Sequence, residues 1–351
     1  FYRGLVLLVI SCPCALVISI PLGYFGGIGS ASKRGILVKG ANVFDALAKV
    51  TTAIFDKTGT LTYGRFKVTK VVPSEGTARE ELLKAAASAE SGSTHPLAAA
   101  VREAAGESEI APEAVLTQAS GKGMILTLGG SVTAAGNAAL MEDFGIKAEE
   151  VSTPGTVIHV MKDGSYMGYI VLQDSLRKES GRAVRELREQ GIREVYMLTG
   201  DRDSVAGLIS DELGLNGYRS ELMPDEKVEA LKEICKGETE KTLYVGDGIN
   251  DGPVLVTSET GIAMGGFGSQ VAVEVADAVI LDDSPLKVVE LLRIARKTRA
   301  IVWQNVFMAL GVKGIFLIGG AAGIAGLWEA VFADVGVALL AILNATRASR
   351  A

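Results

Sequence analysis

Three apolar stretches bracket a polar middle, and that arrangement limits what the chain can fold into more than any other feature. Residues 5–24 are uncharged and long enough to cross a hydrocarbon core. Two further spans cover roughly 301–322 and 327–343, with a Gly-rich bend, Gly319-Gly320-Ala321-Ala322-Gly323, between them. Over the whole chain 48% of residues are hydrophobic, high for a water-soluble protein, and the excess is concentrated at the two ends. The first stretch has neither the basic start nor the small-residue cleavage site of a secretory signal. Lys33, Arg34 and Lys39 follow it. Arg293, Arg296, Lys297 and Arg299 precede the second span, and Arg347 and Arg350 follow the third. The bias of basic residues toward the inner face puts these ends in the cytoplasm. The net charge of −6 gives no reason to expect nucleic acid as a partner. Three cysteines make no disulfide framework, so the middle suits a reducing compartment.

The middle carries its chemistry at strand ends. Thr52-Ala53-Ile54-Phe55 reads as a short buried strand, and it runs into Asp56-Lys57-Thr58-Gly59-Thr60-Leu61-Thr62. A carboxylate there can attack a phosphoryl group, while the turn supplies N–H and O–H donors to phosphate oxygens. An ordinary Asp-rich turn is the plain alternative. From 172 to about 290 helices alternate with short apolar strands, the pattern of a parallel doubly wound sheet. A helix over 177–190 is ended by Gly191, and the strand Val195-Tyr196-Met197-Leu198 reaches Thr199-Gly200-Asp201. A helix over 204–213 follows, and Pro224 opens another with Lys227 in its first turn. A last strand, 242–245, ends at Gly246-Asp247-Gly248-Ile249-Asn250-Asp251. Ligands in such sheets bind at the carboxyl ends of strands, where these clusters fall. An aspartate attacking phosphate needs its charge offset by Mg(II), and that ion needs carboxylate oxygens.

Between these halves, about 69–171 reads as a separate α+β insert. Residues 80–105 have helical periodicity, broken at Ser91-Gly92-Ser93-Thr94-His95-Pro96. From Val115 onward short strands alternate with glycine turns, among them 125–128, 156–160 and 167–171. His159 is expected to be a plain strand residue.

The apolar ends hold polar residues that need a reason. Pro13 opens the first helix, frees carbonyls and points the thiols of Cys12 and Cys14 at a common site. Two thiolates suit Zn(II), Cd(II), Pb(II) or Cu(I); a kinked helix with two inert cysteines is the alternative. Asn305, Lys313 and Asp334 lie inside the later spans. A lysine and an aspartate are costly in lipid, so they should face each other as a structural pair or face a pathway. Asp334 beside two thiolates favours a divalent ion over Cu(I).

The string DKTGTLT at 56–62, Thr199-Gly200-Asp201, Lys227 and the 246–251 cluster, in that order, resemble the haloacid-dehalogenase-like phosphorylation domain of P-type ATPases. With Cys12-Pro13-Cys14, Asn305-x7-Lys313 and Asp334-x-Gly336, the chain resembles the zinc/cadmium/lead subgroup. The resemblance implies an α/β phosphorylation domain with a parallel doubly wound sheet, an inserted α+β nucleotide-binding domain and transmembrane helices. Its divisions fall at 1–49 (CPC helix and stalk), 50–68 and 172–290 (phosphorylation domain), 69–171 (nucleotide-binding domain) and 291–351 (last two membrane helices and tail). Asp56 would become an aspartyl phosphate. Asp56, the backbone carbonyl of Thr58 and Asp247 would hold Mg(II). Lys227 would neutralise the phosphoryl group and Thr199 would donate to it, with Lys57, Gly200, Asp201, Asn250 and Asp251 completing the pocket. Glu90, His95, Pro96, Gly121, Gly123, Gly136 and Asn137 would surround ATP. Cys12, Cys14, Lys313 and Asp334 would hold the transported ion, Lys313 as a built-in counterion.

By the same resemblance the protein is a multi-pass pump of a bacterial inner (plasma) membrane, in contact with lipid, with its catalytic domains in the cytoplasm. Gly252 stands where that family usually has Ala. No Thr-Gly-Glu motif is present and Phe1 is no natural initiator. The chain is therefore expected to be a C-terminal portion without its actuator domain, able to accept a phosphoryl group but not to complete a transport cycle. A Cu(I) pump is the alternative within the family, though the Tyr-Asn and Met-x-x-Ser patterns of copper pumps are missing; cobalt-type pumps carry Ser in place of Cys12. A membrane-tethered phosphatase and a metal sensor using Cys12 and Cys14 are the readings from other classes.

Overall fold

The computed structural model describes residues 13–93, 95–106, 113–151, 155–236, 241–247, 251–265 and 274–350. The chain forms two compact units, Thr62–Arg177 and the remainder. In the larger unit a seven-stranded sheet is built from β1 (Ile36–Val38), β2 (Thr52–Asp56), β9 (Glu194–Leu198), β10 (Gly217–Arg219), β11 (Thr242–Gly246), β12 (Thr260–Ala263) and β13 (Ala278–Ile280). Their spatial order is β1-β13-β12-β11-β2-β9-β10, parallel throughout except for the β1–β13 pair. Parallel strands covered on both faces read as continuous apolar runs. That is why β11 is buried at every position and β2 at all but its first. Register then fixes the functional edge. Asp56 lies opposite Leu198, and Phe55 opposite Val245, so Thr199 and Gly246 leave the sheet beside Asp56.

Unit Thr62–Arg177 is an antiparallel sheet in the order β3-β8-β7-β6-β5-β4. Its strands are β3 (Thr62–Pro73), β4 (Val115–Ala119), β5 (Gly123–Leu128), β6 (Ser131–Gly136), β7 (Thr156–Lys162) and β8 (Ser165–Leu176). Helices Arg79–Ala89 and Pro96–Ala105 pack Leu82, Leu83, Ala86 and Val101 against Leu126, Ile158 and Ile170. Helix Ala138–Asp143 packs Leu140 and Met141 against Ala134 and Met161 in a separate cluster. The expected α+β character is present. The helix expected over 177–190 starts later, at Ser180–Glu189, because β8 continues to Leu176 in register with Thr62 of β3.

Among the described residues three helices are long and apolar enough to cross a membrane: Cys14–Lys33, Leu286–Ala322 and a third whose qualifying stretch is Val331–Arg350. The basic residues 293–299 and the second span lie on one helix, Leu286–Ala322, whose 37 residues extend about 55 Å. It runs through Gly319 and Gly320 and stops at Gly323, which takes φ +80°. Its basic residues meet the protein. Arg296 donates to the Val50 carbonyl at 3.3 Å, Arg299 pairs with Asp45 at 3.3 Å, and Lys297 donates to the Arg350 carbonyl at 3.1 Å. Tyr24 donates to the same Asp45 at 2.7 Å, tying the first helix to this corner. Phe25, Phe307, Ile318, Trp328 and Phe332 are exposed on these helices, the surface a lipid-facing belt requires.

Helix Cys14–Lys33 approaches Leu286–Ala322 closely because small residues recur every four positions, Ala15, Ser19, Gly23, Gly27 and Ala31, and all are buried. A Cβ on Gly27 would lie 2.5 Å from Thr298 Oγ1 and 2.8 Å from its Cγ2. Gly27→Ala should therefore lower the unfolding midpoint of the chain in detergent, at a cost of about 1–3 kcal/mol. Adding Thr298→Ala should recover most of it. An unchanged midpoint in the single variant would show that the helices do not pack through Gly27.

Candidate functional site

Asp56 ends β2 with 5% of its surface exposed. Lys227, in the first turn of helix Pro224–Ile234, reaches it across the sheet edge. Its Nζ donates to Asp56 Oδ1 at 2.6 Å and to Asp251 Oδ1 at 2.7 Å. The helix is set by Pro224 at its first position and by Glu226, whose carboxylate accepts the Met223 N–H at 2.8 Å. Burial, followed by the Asp251 charge, pushes Asp56 up to about 7; Lys227 opposes this and Asp247 adds to it. Burial works against the Lys227 cation, but Asp56 and Asp251 outweigh it and hold its pKa above the ordinary value.

The neighbouring clusters close around this pair. Lys57 is buried and forms an ion pair with Asp201. Thr199 Oγ1 accepts the Asp201 N–H at 3.0 Å, which leaves its own hydroxyl hydrogen to donate elsewhere. Gly200 and Asp201 form the turn, and the Asp201 carbonyl accepts from Glu221 N–H at 2.8 Å. Gly59 takes φ +74°, and a Cβ there would sit 3.4 Å from Asp247 Oδ2, so the turn after Thr58 lies against Asp247. Asn250 and Cys12 lie outside the described residues. The Mg(II) donors expected here, two carboxylates and a main-chain carbonyl, are hard oxygens suited to that ion. They also fit electrostatically. The Asp251 and Asp247 charges act on Asp56 and, after burial, are part of what raises its pKa. Among the described residues no three His, Cys, Asp or Glu side chains converge as a metal cluster. Two side chains and a carbonyl are not such a cluster.

In unit Thr62–Arg177, Glu90 is buried, and loss of solvent raises its pKa against the opposing pull of Ser93 and Arg102. Arg102, which no motif singles out, donates to the carbonyls of Glu90 at 2.6 Å and Ser93 at 3.0 Å and so fixes this turn. His95 caps helix Pro96–Ala105. Its Nδ1 accepts the Leu97 N–H at 3.2 Å, which puts the proton of the neutral ring on the exposed side at Nε2. Gly123 and Gly136 are directly opposed across β5 and β6, and a Cβ on either would run into the facing backbone carbonyl. Gly121 takes φ +69°, and Asn137 donates from Nδ2 to its carbonyl at 3.1 Å. Asn137 Oδ1 also caps helix Ala138–Asp143 through Leu140 N–H at 3.1 Å. Asn137 thus holds the glycine loop in shape. His159, on β7, bonds Tyr166 at 2.8 Å as part of the sheet.

Within the membrane helices Lys313 Nζ lies 3.0 Å from Asp334 Oδ1. Ala15, next to Cys14, packs with Ala309, Val312, Val337 and Ala338, so Cys14 lies at the level of that ion pair. Asn305 is fully buried and is a structural clamp. It donates to the Ala341 carbonyl at 2.9 Å and accepts from Asn344 at 2.9 Å.

The family model for haloacid dehalogenase-like hydrolases matches residues 50–256. The chain belongs to that family. Within it, the chain is 50% identical to a zinc-transporting ATPase of Synechocystis sp., over 99% of its own length and 49% of the relative's. It is also 50% identical to a cadmium, zinc and cobalt-transporting ATPase of Bacillus subtilis, over 99% of the chain and 50% of the relative. The solved structure of a zinc-transporting PIB-type ATPase in the E2.Pi state superposes with a TM-score of 0.87 at 39% identity, covering all of this chain and 58% of that one. The chain spans about half the length of the curated relatives it matches. The resemblance to zinc and cadmium P-type ATPases thus extends along nearly all of it.

An aspartate whose pKa rises to about 7 on folding binds a proton that the unfolded chain releases near its ordinary value. Its contribution to stability is therefore lost as pH rises from about 4 to about 7. Asp56→Asn should have a higher unfolding midpoint than the parent in Mg-free buffer at pH 8, with the difference shrinking toward pH 4. A difference independent of pH would show that Asp56 is not under this charge pressure.

Proposed function

We propose that this chain carries the phosphoryl-transfer and ion-binding parts of an ATP-driven exporter of Zn(II), Cd(II) and Pb(II). The observation that carries the proposal is a buried, lysine-paired aspartate at a parallel sheet edge, in a chain whose membrane helices hold a Lys–Asp pair level with Cys14. Asp56 Oδ attacks the γ-phosphorus of ATP, the bond from that phosphorus to the bridging oxygen breaks, and ADP leaves with the electron pair. Lys227 stays beside the reacting oxygens as charge moves onto them, and Thr199 donates its hydroxyl hydrogen to the phosphoryl group. Water later attacks phosphorus, releasing phosphate and restoring the carboxylate. Mg(II), held by Asp56, Asp247 and the Thr58 carbonyl, would offset the phosphate charge.

ATP would be held by the unit that contains the 69–171 insert. Glu90 and the exposed face of His95 belong to one end of its helix pair, and Gly121, Gly123 and Gly136 allow close backbone approach at the β5–β6 end. Cys14 is disulfide-bonded in this structure, and in its reduced form it would bind the ion together with Cys12 and Asp334, with Lys313 returning to Asp334 on release. A carboxylate in this set favours a divalent ion over Cu(I). The basic residues flanking the spans support a cytoplasmic location for the catalytic units, in a bacterial plasma membrane.

The chain in detergent with Mg(II) and γ-labelled ATP should acquire an acid-stable, hydroxylamine-labile phosphate, and Asp56→Asn should acquire none. Label retained by Asp56→Asn would overturn the assignment. In chelator competition, Zn(II) binding should weaken at least tenfold in both Cys14→Ser and Asp334→Ala. Unchanged Zn(II) binding in those variants would move the ion site elsewhere.

A further inference from the structure

Tyr244 lies on β11 two residues before Gly246, fully buried among Ile54, Leu198, Leu231 and Leu255. Residues two apart on a strand share a face. A Cβ on Gly246 would come within 3.0 Å of Tyr244 Cε1 and would run into Asp251 Oδ2. The phenol ring and the Asp251 carboxylate therefore converge on the space that Gly246 leaves open. Asp251 Oδ1 is taken by Lys227. Asp251 Oδ2 and the Tyr244 hydroxyl are both buried, and neither has another hydrogen-bond partner among the described residues. A buried donor and a buried acceptor left unpaired each cost free energy, and a single bond between them removes both costs. Burial, and then the charges of Asp56 and Asp251, hold the phenol far above its ordinary pKa, so it keeps its proton and remains a donor.

We propose that Tyr244 donates its hydroxyl hydrogen to Asp251 Oδ2 and is a positioning residue for phosphoryl transfer. The inference rests on the reading of Asp56 as the phosphoryl acceptor. Asp251 and Asp56 compete for one ammonium group. A neutral donor on the far oxygen of Asp251 reduces its demand for Lys227 without adding a charge to the cluster. Lys227 then stays shared, within reach of the oxygens on Asp56 where charge develops. A hydrophobic residue at 244 would fill the same core but leave Asp251 to draw the lysine toward itself.

Two measurements on the full chain in detergent test this. In thermal unfolding without Mg(II), Tyr244→Phe should lower the midpoint by about 2–4 °C in the parent. In an Asp251→Ala background, where the hydroxyl has no acceptor, the same change should be neutral or stabilising. Equal losses in both backgrounds would show that the phenol acts only by packing, and would overturn the proposal. In phosphoenzyme formation, Tyr244→Phe should slow labelling about tenfold at saturating ATP and leave the half-saturating ATP concentration unchanged, since nucleotide is held by the other unit. A parental labelling rate in Tyr244→Phe would also overturn it. If the parent itself takes no label, the phosphoryl-acceptor reading fails, and the unfolding cycle still decides the Tyr244–Asp251 bond.

Discussion

One buried lysine holds the catalytic edge together. Lys227 stands between Asp56 and Asp251, at 2.6 and 2.7 Å, in a place where neither carboxylate can reach bulk water. Removing one partner of a buried ion pair leaves an uncompensated charge, which costs more than the pair itself contributes. Everything that determines where Lys227 sits therefore matters to the site: Pro224 and Glu226 at its helix start, the β2–β11 register that brings Gly246 beside Asp56, and the missing side chain of Gly246 that admits the Asp251 carboxylate. The sheet tolerates the arrangement because parallel strands end together, so polar groups gather at one edge while Ile54, Tyr244 and Leu198 fill the interior beneath them.

The membrane portion follows a different rule. No hydrophobic driving force separates helix from lipid, so closeness of fit decides association. The four-residue recurrence of small residues in Cys14–Lys33 supplies that fit, and the Asn305–Asn344 clamp fastens the last helix to Leu286–Ala322. The long helix then joins the two environments without a break. Its lower part is held to Val50 and Asp45, close to the start of β2, and its upper part carries Lys313.

Much of this was legible in the sequence, because the strand-end clusters are short, ordered and chemically distinctive. Asp56, Thr199, Lys227, Asp247 and Asp251 are gathered by the sheet register that alternating strands and helices imply. Less legible was what a polar residue does once placed. Asn137 is expected beside ATP, and in the structure its side chain caps a helix and donates to the Gly121 carbonyl. Gly123 and Gly136 look like a nucleotide cradle, but backbone crowding between paired strands already demands glycine at both. Arg102, which fixes the Glu90 turn, belongs to no motif, because one arginine on a helix face carries no pattern. The basic residues of 293–299 read only as a flank that marks the cytoplasmic side, while in the structure Arg296 and Arg299 bond to Val50 and Asp45. Continuity through Gly319 and Gly320 was hidden for a similar reason: glycine lowers helix propensity, but packing decides whether the helix stops.

The two lysine–carboxylate sites also differ in charge balance, and the difference bears on what each can accept. At the sheet edge Lys227 is shared between Asp56 and Asp251, and burial first, then the Asp251 and Asp247 charges, raise the pKa of Asp56. In the membrane helices Lys313 pairs with Asp334, and a paired lysine and carboxylate are what lipid tolerates. Under the proposed function a dication would join the first site without displacing a lysine. At the second site as proposed it would take Asp334 only by displacing Lys313. A site built as proposed would hold its ion weakly for the number of ligands it offers, with the ammonium group in place to reclaim the carboxylate when the ion leaves.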